Sequence, residues 1–398
     1  MGFGPLTGIR ILDLSTMIAA PFGATLLGDF GADVIKVEMP NRGDSLRSMG
    51  PFKESEPLRW PALARNKKSL TLDLHTSEGQ VILKKLVAQS DVVIENFRPG
   101  TLEKWGIGYD VLKEANPEII LMRVSGYGQT GPYAEKAGFG TPATAFSGFT
   151  YLHGYTDRPP ISPSFSLVDY ITGVYVAFAT TAALYYRDAK DGNGQMIDMG
   201  LYESVFRMME FLVADYDQND IIKERSPGLS GHSSPAGTFQ TKDGHWIVLV
   251  TSSDRTFERL AKAMNREDML SDEKFYTNKV RLENFNLTNG IVADFVKKWD
   301  RDELQALLDE FGVPISPINS IKDIFENPQF KSRENIVEID HPRLGSIKMP
   351  GIVPKFSETP GTIRNVGPDL SEHTDEILKD LVGLSDMEIK NLKDKNIV

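Results

Sequence analysis

Asp169 is the residue whose type and setting most suggest chemistry. It heads the run Ser166-Leu167-Val168-Asp169-Tyr170-Ile171-Thr172-Gly173-Val174, with no other charge before Arg187. A run this apolar packs as a buried helix, and burying an unpaired carboxylate is costly. Asp169 therefore either sits at the helix start, where free N–H groups and the dipole favour an anion, or serves as a reactive group. Several other chemistries have little support. The chain has no cysteine, which excludes thiolate nucleophiles, Cys-based zinc sites and disulfides. Its 6 histidines include no pair at helical ligand spacing, and no Gly-x-Ser-x-Gly elbow occurs. Gly126-Tyr127-Gly128-Gln129-Thr130-Gly131 has the spacing of a dinucleotide fingerprint and follows a strand. That fingerprint needs a helix to open at once, whereas Pro132, Tyr133 and further glycines follow here.

Basic residues gather after strand patterns in the first part of the chain. Arg42 and Arg47 follow the second strand, Arg65-Asn66-Lys67-Lys68 precede the third, and Asn96-Phe97-Arg98 follow the fourth. In an open α/β sheet, ligands lie beyond the carboxyl ends of strands, which suits a phosphate-bearing anion near Arg42, Arg47, Asn96 and Arg98. A solvated basic patch is the competing reading.

These residues must be positioned by alternating strands and helices. Strand patterns fall at 8–14, 32–38, 69–74, 91–95 and 119–124, with helical segments at 21–30, 76–86 and 101–114 between them. That alternation implies parallel βαβ units in an open, doubly wound sheet. A glycine- and proline-rich stretch from Gly126 leads to Asp169, and irregular segments of such length are usually functional. Helical residues 201–216 leave the sheet. Residues 237–250 form a hairpin around Lys242-Asp243-Gly244, with amphipathic helices near 257–264 and 281–299. The expected domains are 1–200 (large), 201–225 (linker), 226–330 (small, α+β) and 331–398, which returns to the large domain with a last helix at 374–381.

At 398 residues the chain can bury two cores, and its 40% hydrophobic and 25% charged residues are those of an ordinary globular protein. A net charge of −11 argues against a nucleic-acid partner. The beginning of the chain lacks a basic segment followed by an apolar one, and Tyr170–Tyr186 reads as a core helix rather than a membrane span. The expected location is cytoplasmic.

Several stretches together resemble the class III CoA-transferases, the family of formyl-CoA transferase and carnitine CoA-transferase. They are Asp13-Leu14-Ser15 with Ala20-Pro21, Gly31-Ala32-Asp33-Val34-Ile35-Lys36-Val37-Glu38, Asn66-Lys67-Lys68-Ser69-Leu70, Glu95-Asn96-Phe97-Arg98-Pro99-Gly100, Ser125–Pro132 and Gly367–Thr374. The resemblance spans essentially the whole chain. It implies a Rossmann-like large domain, a small domain, and two chains threaded as interlocked rings, either a homodimer or a heteromer with a paralogous subunit. It further implies that Asp169 is the catalytic nucleophile, forming an aspartyl anhydride and then an aspartyl-CoA thioester. CoA enters as substrate, with no permanently bound cofactor and no metal. Its contacts, carried over from the family, include Met17, Ile18, Leu72, Asn96, Phe97 and Lys104, alongside Arg42, Arg47 and Arg98. The expected reaction moves CoA from an acyl-CoA, such as succinyl-CoA, to a carboxylic acid. Two alternatives are an α-methylacyl-CoA racemase-like enzyme and a non-catalytic CoA-binding subunit. The related racemases use a His–Asp pair, but this chain has Phe139 where their histidine would fall. The loop comparable to the glycine-rich lid of formyl-CoA transferase, Thr251–Arg255, is not glycine-rich. Met49, Phe139, Phe146 and Tyr151 are candidates to line an acyl pocket.

Overall fold

Six strands organise the first part of the computed structural model, which describes residues 4–226 and 231–398. They are β1 (Arg10–Asp13), β2 (Asp33–Glu38), β3 (Lys67–Thr71), β4 (Val92–Glu95), β5 (Ile120–Ser125) and β6 (Met196–Gly200). Their order is β3-β2-β1-β4-β5-β6, and every neighbouring pair is parallel. Parallel strands covered on both faces need apolar side chains on both, as Ile11, Leu12, Val34, Ile35, Val92, Val93, Ile94, Ile120 and Leu121 supply. The order reverses between β1 and β4, so a crevice opens past their carboxyl ends, where such sheets bind ligands.

This sheet belongs to a compact unit made of Met1–Thr150, Ser162–Ile222 and Ser332–Val398. Its helices include α1 (Ala19–Asp29), α2 (Ser77–Val87), α3 (Tyr109–Ala115), α4 (Gly140–Phe146), α5 (Leu167–Ala189), α6 (Leu201–Phe206) and α7 (Glu210–Asn219). Helix α5 is long and apolar enough to cross a membrane by length and composition. Here its Val168, Thr172, Gly173, Val176, Thr180, Ala183 and Leu184 are buried. It crosses α1 closely: a Cβ on Gly173 would overlap Phe22 and the Ala19 carbonyl, and one on Gly23 would overlap Val176. The segment read as a linker holds α6 and α7.

The C-terminal part adds a hairpin, β10 (Ile336–His341) with β11 (Gly345–Pro350), and two helices, α11 (Thr374–Asp380) and α12 (Asp386–Asp394). Ile377, Leu378, Ile389, Ile397 and Val398 join the core beside Leu12, Leu70, Leu83 and Leu121. Helix α12 lies beyond the helix expected at 374–381. Its signal was local: Ser385 and Glu388 form a reciprocal capping box at its start. The region read as one helix at 101–114 is two, Thr101–Lys104 and α3, interrupted at Gly106 and its φ of 70°.

A second compact unit comprises Tyr151–Ile161 and Lys223–Lys331. Strands β7 (Ala236–Gln240), β8 (Trp246–Val250) and β9 (Ile315–Pro317) form an antiparallel sheet with β8 in the centre. Helices α8 (Asp254–Ala263), α9 (Phe285–Val296) and α10 (Arg301–Glu310) contribute Phe257, Leu260, Val292 and Leu304 to its core. Buried Arg281 donates to the carbonyls of Ser234 and Phe275 and pairs with Asp254. In the 251–255 loop, Thr251 is buried and its N–H donates to the Pro235 carbonyl. Ser253 caps α8 by accepting from the Thr256 N–H.

Among the charged side chains buried in the first unit, Asp13, Lys36 and Lys67 meet at one point. Asp13 ends β1, with Lys36 as its register partner on β2 and Lys67 opening β3. Its carboxylate lies 2.7 Å from Lys67 Nζ and 3.9 Å from Lys36 Nζ. Burial pushes the Asp13 carboxyl upward, but the two ammonium groups outweigh it and hold the group below its ordinary value. Removing one partner of a buried ion pair leaves an uncompensated charge, at a cost of about 3–5 kcal/mol. Asp13→Leu is therefore expected to lower the unfolding free energy by about 3–5 kcal/mol, seen as a lower urea midpoint. An unchanged midpoint would show that the lysines do not depend on this carboxylate.

Candidate active site

Asp169 is the third residue of α5 and is half-buried. It is not the cap: Ser166 holds that position and makes no side-chain capping bond. No ion pair to Asp169 is present among the described residues. Burial pushes its carboxyl up to about 6, and its own backbone N–H only partly offsets this. The carboxylate lies against the backbone of Gly140, the first residue of α4, where a Cβ would overlap it. Phe139, immediately before, is 69% exposed. Gly126 and Gly138 also approach so closely that a Cβ on either would overlap the other's Cα. Glycines of the approach loop thus serve close packing, Gly140 against Asp169 and Gly126 against Gly138. No dinucleotide-type helix opens after Gly131; the next helix begins at Gly140.

Tyr170, the next residue, packs its ring edge-on to Phe22 with centroids 5.0 Å apart. With Met49 it covers a buried cluster of Ile18, Leu46, Trp60, Leu63 and Ala64. Burial pushes its phenol upward, the Arg59 guanidinium opposes this, and the Asp169 carboxylate adds to it.

A cleft of about 440 Å³ opens at the carboxyl ends of β1, β2 and β4. Leu14 and Thr16 follow β1, Met39 and Arg42 follow β2, Leu72 and His75 follow β3, and Phe97 and Trp105 follow β4. Trp105 meets Phe97 edge-on at 5.0 Å and His75 at 4.5 Å, making an apolar, aromatic wall. Lys36, Glu38 and Asp44 form the floor.

The expected contact residues divide into two groups. Leu72, Phe97 and Arg42 line the cleft. The others do not, and several hold its frame. Asn96 accepts from the Thr16 N–H and donates to the Thr16 carbonyl, each at 2.8 Å. Met17 adopts a left-handed φ of 70°, and its N–H donates to the Asp44 carboxylate at 3.0 Å. Ile18 is buried at the start of α1. Arg47 pairs with both oxygens of Glu38 at 2.8 Å, donates to the Pro368 carbonyl and stacks on Trp60. Its position after β2 suggested a ligand contact, but Glu38 on the same strand end takes its guanidinium. Arg98 and Lys104 are exposed and away from the lining. Of the acyl-pocket candidates, Met49 packs beside Tyr170, whereas Phe146 joins Tyr127, Tyr133 and Tyr202 in a ring cluster. Tyr151 lies in the second unit and donates to Glu224 at 2.6 Å.

Sequence reasoning missed Trp105, His75, Asp44 and Gly140. Asp44 had one local signal, its place just ahead of the short turn Ser45–Ser48, which it caps by accepting from the Leu46 N–H. Nothing adjacent to Gly140 marks its approach to a residue 29 positions later.

A sheet in the order 3-2-1-4-5-6 with a cleft at its reversal point defines a nucleotide-binding type of α/β protein, here with a desolvated carboxylate on a separate helix. The family model described as CoA-transferase family III matches residues 6–374, and the chain belongs to that family of enzymes. The beta subunit of succinyl-CoA–L-malate CoA-transferase from Chloroflexus aurantiacus is 46% identical, over 99% of this chain and 98% of that protein. Succinyl-CoA–D-citramalate CoA-transferase of the same organism is 41% identical, with the same coverage. Human succinyl-CoA:glutarate CoA-transferase is 33% identical over 99% of this chain and 90% of its own. Among solved structures, a CAIB/BAIF family protein from Brucella suis superposes with a TM-score of 0.83 at 34% identity, covering 95% of this chain and 99% of that one.

Two outcomes follow from the Asp169 environment. Between the ordinary carboxylate range and about pH 6 the folded chain holds a proton that the unfolded chain releases, so stability falls as pH rises through that window. Asp169→Asn, neutral throughout, is expected to melt higher than wild type at pH 8 and nearly equally at pH 4. A pH-independent difference would contradict the desolvation. Gly140→Ala is expected to keep its circular dichroism spectrum while turning the carboxylate aside, lowering turnover on the order of 10²-fold. Wild-type turnover would remove Gly140 from the site.

Proposed function

We propose that this enzyme moves CoA from succinyl-CoA to a second small carboxylic acid, with Asp169 as the nucleophile. The observation that carries the reading is a half-buried, unpaired carboxylate with a raised pKa in a chain of CoA-transferase family III. Desolvation makes that carboxylate more nucleophilic than one in water, yet with a pKa of about 6 it is ionised at neutral pH. It attacks the thioester carbonyl and expels CoA thiolate, leaving a mixed anhydride. The thiolate attacks the aspartyl carbonyl, releasing the donor acid and forming an aspartyl-CoA thioester. The acceptor carboxylate attacks that thioester, giving a new anhydride and thiolate. The thiolate then takes the acyl group and frees Asp169. Each step exchanges one activated acyl bond for another, so no external energy source or permanently bound cofactor is required.

The CoA nucleotide fits the cleft at the sheet reversal. Its base would lie against Phe97 and Trp105, and its phosphates toward Arg42 at the mouth. Asn96, Met17 and Ile18 would act by holding the loop that shapes this cleft. The succinyl donor is supported by the names of the malate, citramalate and glutarate transferases, all of which begin with succinyl-CoA. The racemase reading loses its base, because the residue preceding Gly140 is phenylalanine.

The assembly we propose is the interlocked dimer of the family, located in the cytoplasm. Supporting it, α5 exposes Val174, Phe178 and Tyr185, and the segment 206–216 exposes Phe206, Met208, Phe211, Val213 and Tyr216. A heteromer is the second reading, since the alpha and beta subunits of one malate transferase are 41% and 46% identical to this chain.

Incubation with succinyl-CoA and a panel of acids should yield new thioesters, and hydroxylamine should trap a hydroxamate at Asp169 during turnover. Asp169→Ala should fold and transfer nothing. An active Asp169→Ala, or α-proton exchange without thioester transfer, would overturn the reading.

A further inference from the structure

The segment Arg42–Met49 is one piece of chain with two faces. Arg42, Gly43, Asp44, Ser45 and Ser48 line the cleft of about 440 Å³ at the sheet reversal. Leu46 is buried in the cluster of Ile18, Trp60, Leu63 and Ala64, and Met49 packs on that cluster with Tyr170. A ligand in the cleft therefore bears on a wall whose far side supports the residue next to Asp169.

Arg47 ties the two faces together. Its Nη2 and Nε donate to the two oxygens of Glu38, a buried residue of the cleft floor, each at 2.8 Å. Glu38 is also held by the Asp44 N–H at 2.9 Å and the Ser69 hydroxyl at 2.8 Å. On its other side the Arg47 guanidinium donates from Nη1 to the Pro368 carbonyl at 3.0 Å. The indole N–H of Trp60 donates to that same carbonyl at 2.8 Å, and the guanidinium carbon lies 3.8 Å from the Trp60 ring centre. Trp60 is buried in the cluster on which Tyr170 packs, and Asp169 precedes Tyr170 on α5. Glu38, Arg47, Trp60 and Tyr170 thus form an unbroken line of contacts from the cleft floor to the first turn of α5. Gly43 leaves the room this needs, since a Cβ there would lie 2.9 Å from Arg47 Cδ.

A guanidinium fork can serve a carboxylate, a carbonyl and an aromatic face at once, which a single ammonium cannot. Holding the end of β2 would require only the pair with Glu38; the contacts to Pro368 and Trp60 aim Arg47 at the wall under Tyr170. Binding a part of the substrate remote from the reacting bond raises turnover when it orders the reacting groups, and it then shows in kcat rather than in KM. The CoA nucleotide is such a part, because the thioester lies at the opposite end of the molecule. We propose that Arg47 is a positioning residue: it carries occupancy of the nucleotide cleft to the Trp60–Tyr170 wall, which fixes the Asp169 carboxylate for attack. This rests on the CoA-transfer reading above and adds what the nucleotide does in that reaction.

The test follows exchange of labelled succinate into two thioesters, succinyl-CoA and succinyl-pantetheine, the second lacking the nucleotide. Wild type should turn over succinyl-CoA on the order of 10²-fold faster at saturation. In Arg47→Lys the kcat for succinyl-CoA should fall toward the pantetheine value with no rise in KM, while the pantetheine kcat changes little. The double variant Glu38→Gln with Arg47→Met should give the same readout without leaving either charge buried alone. Equal losses on both thioesters would make Arg47 merely structural, and a raised KM at unchanged kcat would make it a direct ligand contact. Either result, or an unchanged ratio of the two kcat values, would overturn the proposal while leaving CoA transfer intact. Absence of exchange by wild type with both thioesters would instead sink the CoA-transfer reading. A second measurement needs no turnover. CoA should slow amide hydrogen exchange across 165–175 in wild type but not in Arg47→Lys. Protection that survives the substitution would refute the proposal whatever the rates.

Discussion

Asp13 and its two lysines form the contact on which the rest of the first unit depends. Three neighbouring strands each bring one charge to the same buried point, so the sheet can close only in the register that pairs them. The network continues outward. Lys36 also pairs with Asp44 at 3.1 Å, and Asp44 holds the Met17 N–H in a backbone conformation that few non-glycine residues adopt. Asn96, at the end of β4, fastens Thr16 from the other side. The loop after β1 is thus clamped by β2 and β4 together, and that loop is one wall of the cleft. Electrostatics in the sheet becomes shape at its edge.

The same loop leads into α1, and α1 crosses α5 through glycines on both helices. The carboxylate on α5 is therefore held in relation to the cleft by a rigid path: strand end, loop, helix, helix. Tyr170 closes this path by packing on Ile18, Leu46 and Trp60. The C-terminal segment strengthens it, since Pro368 accepts hydrogen bonds from both Arg47 and Trp60. Residues more than 300 positions apart thereby share one wall. Rigidity matters here because each proposed step is a carbonyl addition, in which position counts for more than acid–base chemistry.

Charge is used in two ways along this path. Asp13, Lys36, Lys67 and Glu38 are buried, Arg47 is partly buried, and all are mutually satisfied, so they fix structure. Asp169 has no ion pair among the described residues, and burial raises its pKa. Arg47 and Arg42 make a related contrast. Both follow β2, but the first is taken up by Glu38 while the second lines the cleft.

Much of this was legible in the chain alone. Strand and helix alternation gave the parallel sheet, because hydrophobic periodicity is a local property. The hairpin at 237–250 followed from its turn residues, and Asp169, the proposed nucleophile, was visible as a lone charge in an apolar run. Family-like stretches pointed to CoA transfer. Local signals failed where partners are distant in sequence. Arg47 looked like a phosphate ligand, yet Glu38 and Pro368 take its donors; Asp169 looked like a cap, yet it is the third residue of its helix. Gly140 was one glycine among many until folding set it against a carboxylate on another helix. Sequence determined which elements form and which residue could react. Only tertiary structure decided which charges are satisfied, because pairing depends on distances that strand order and helix crossing create.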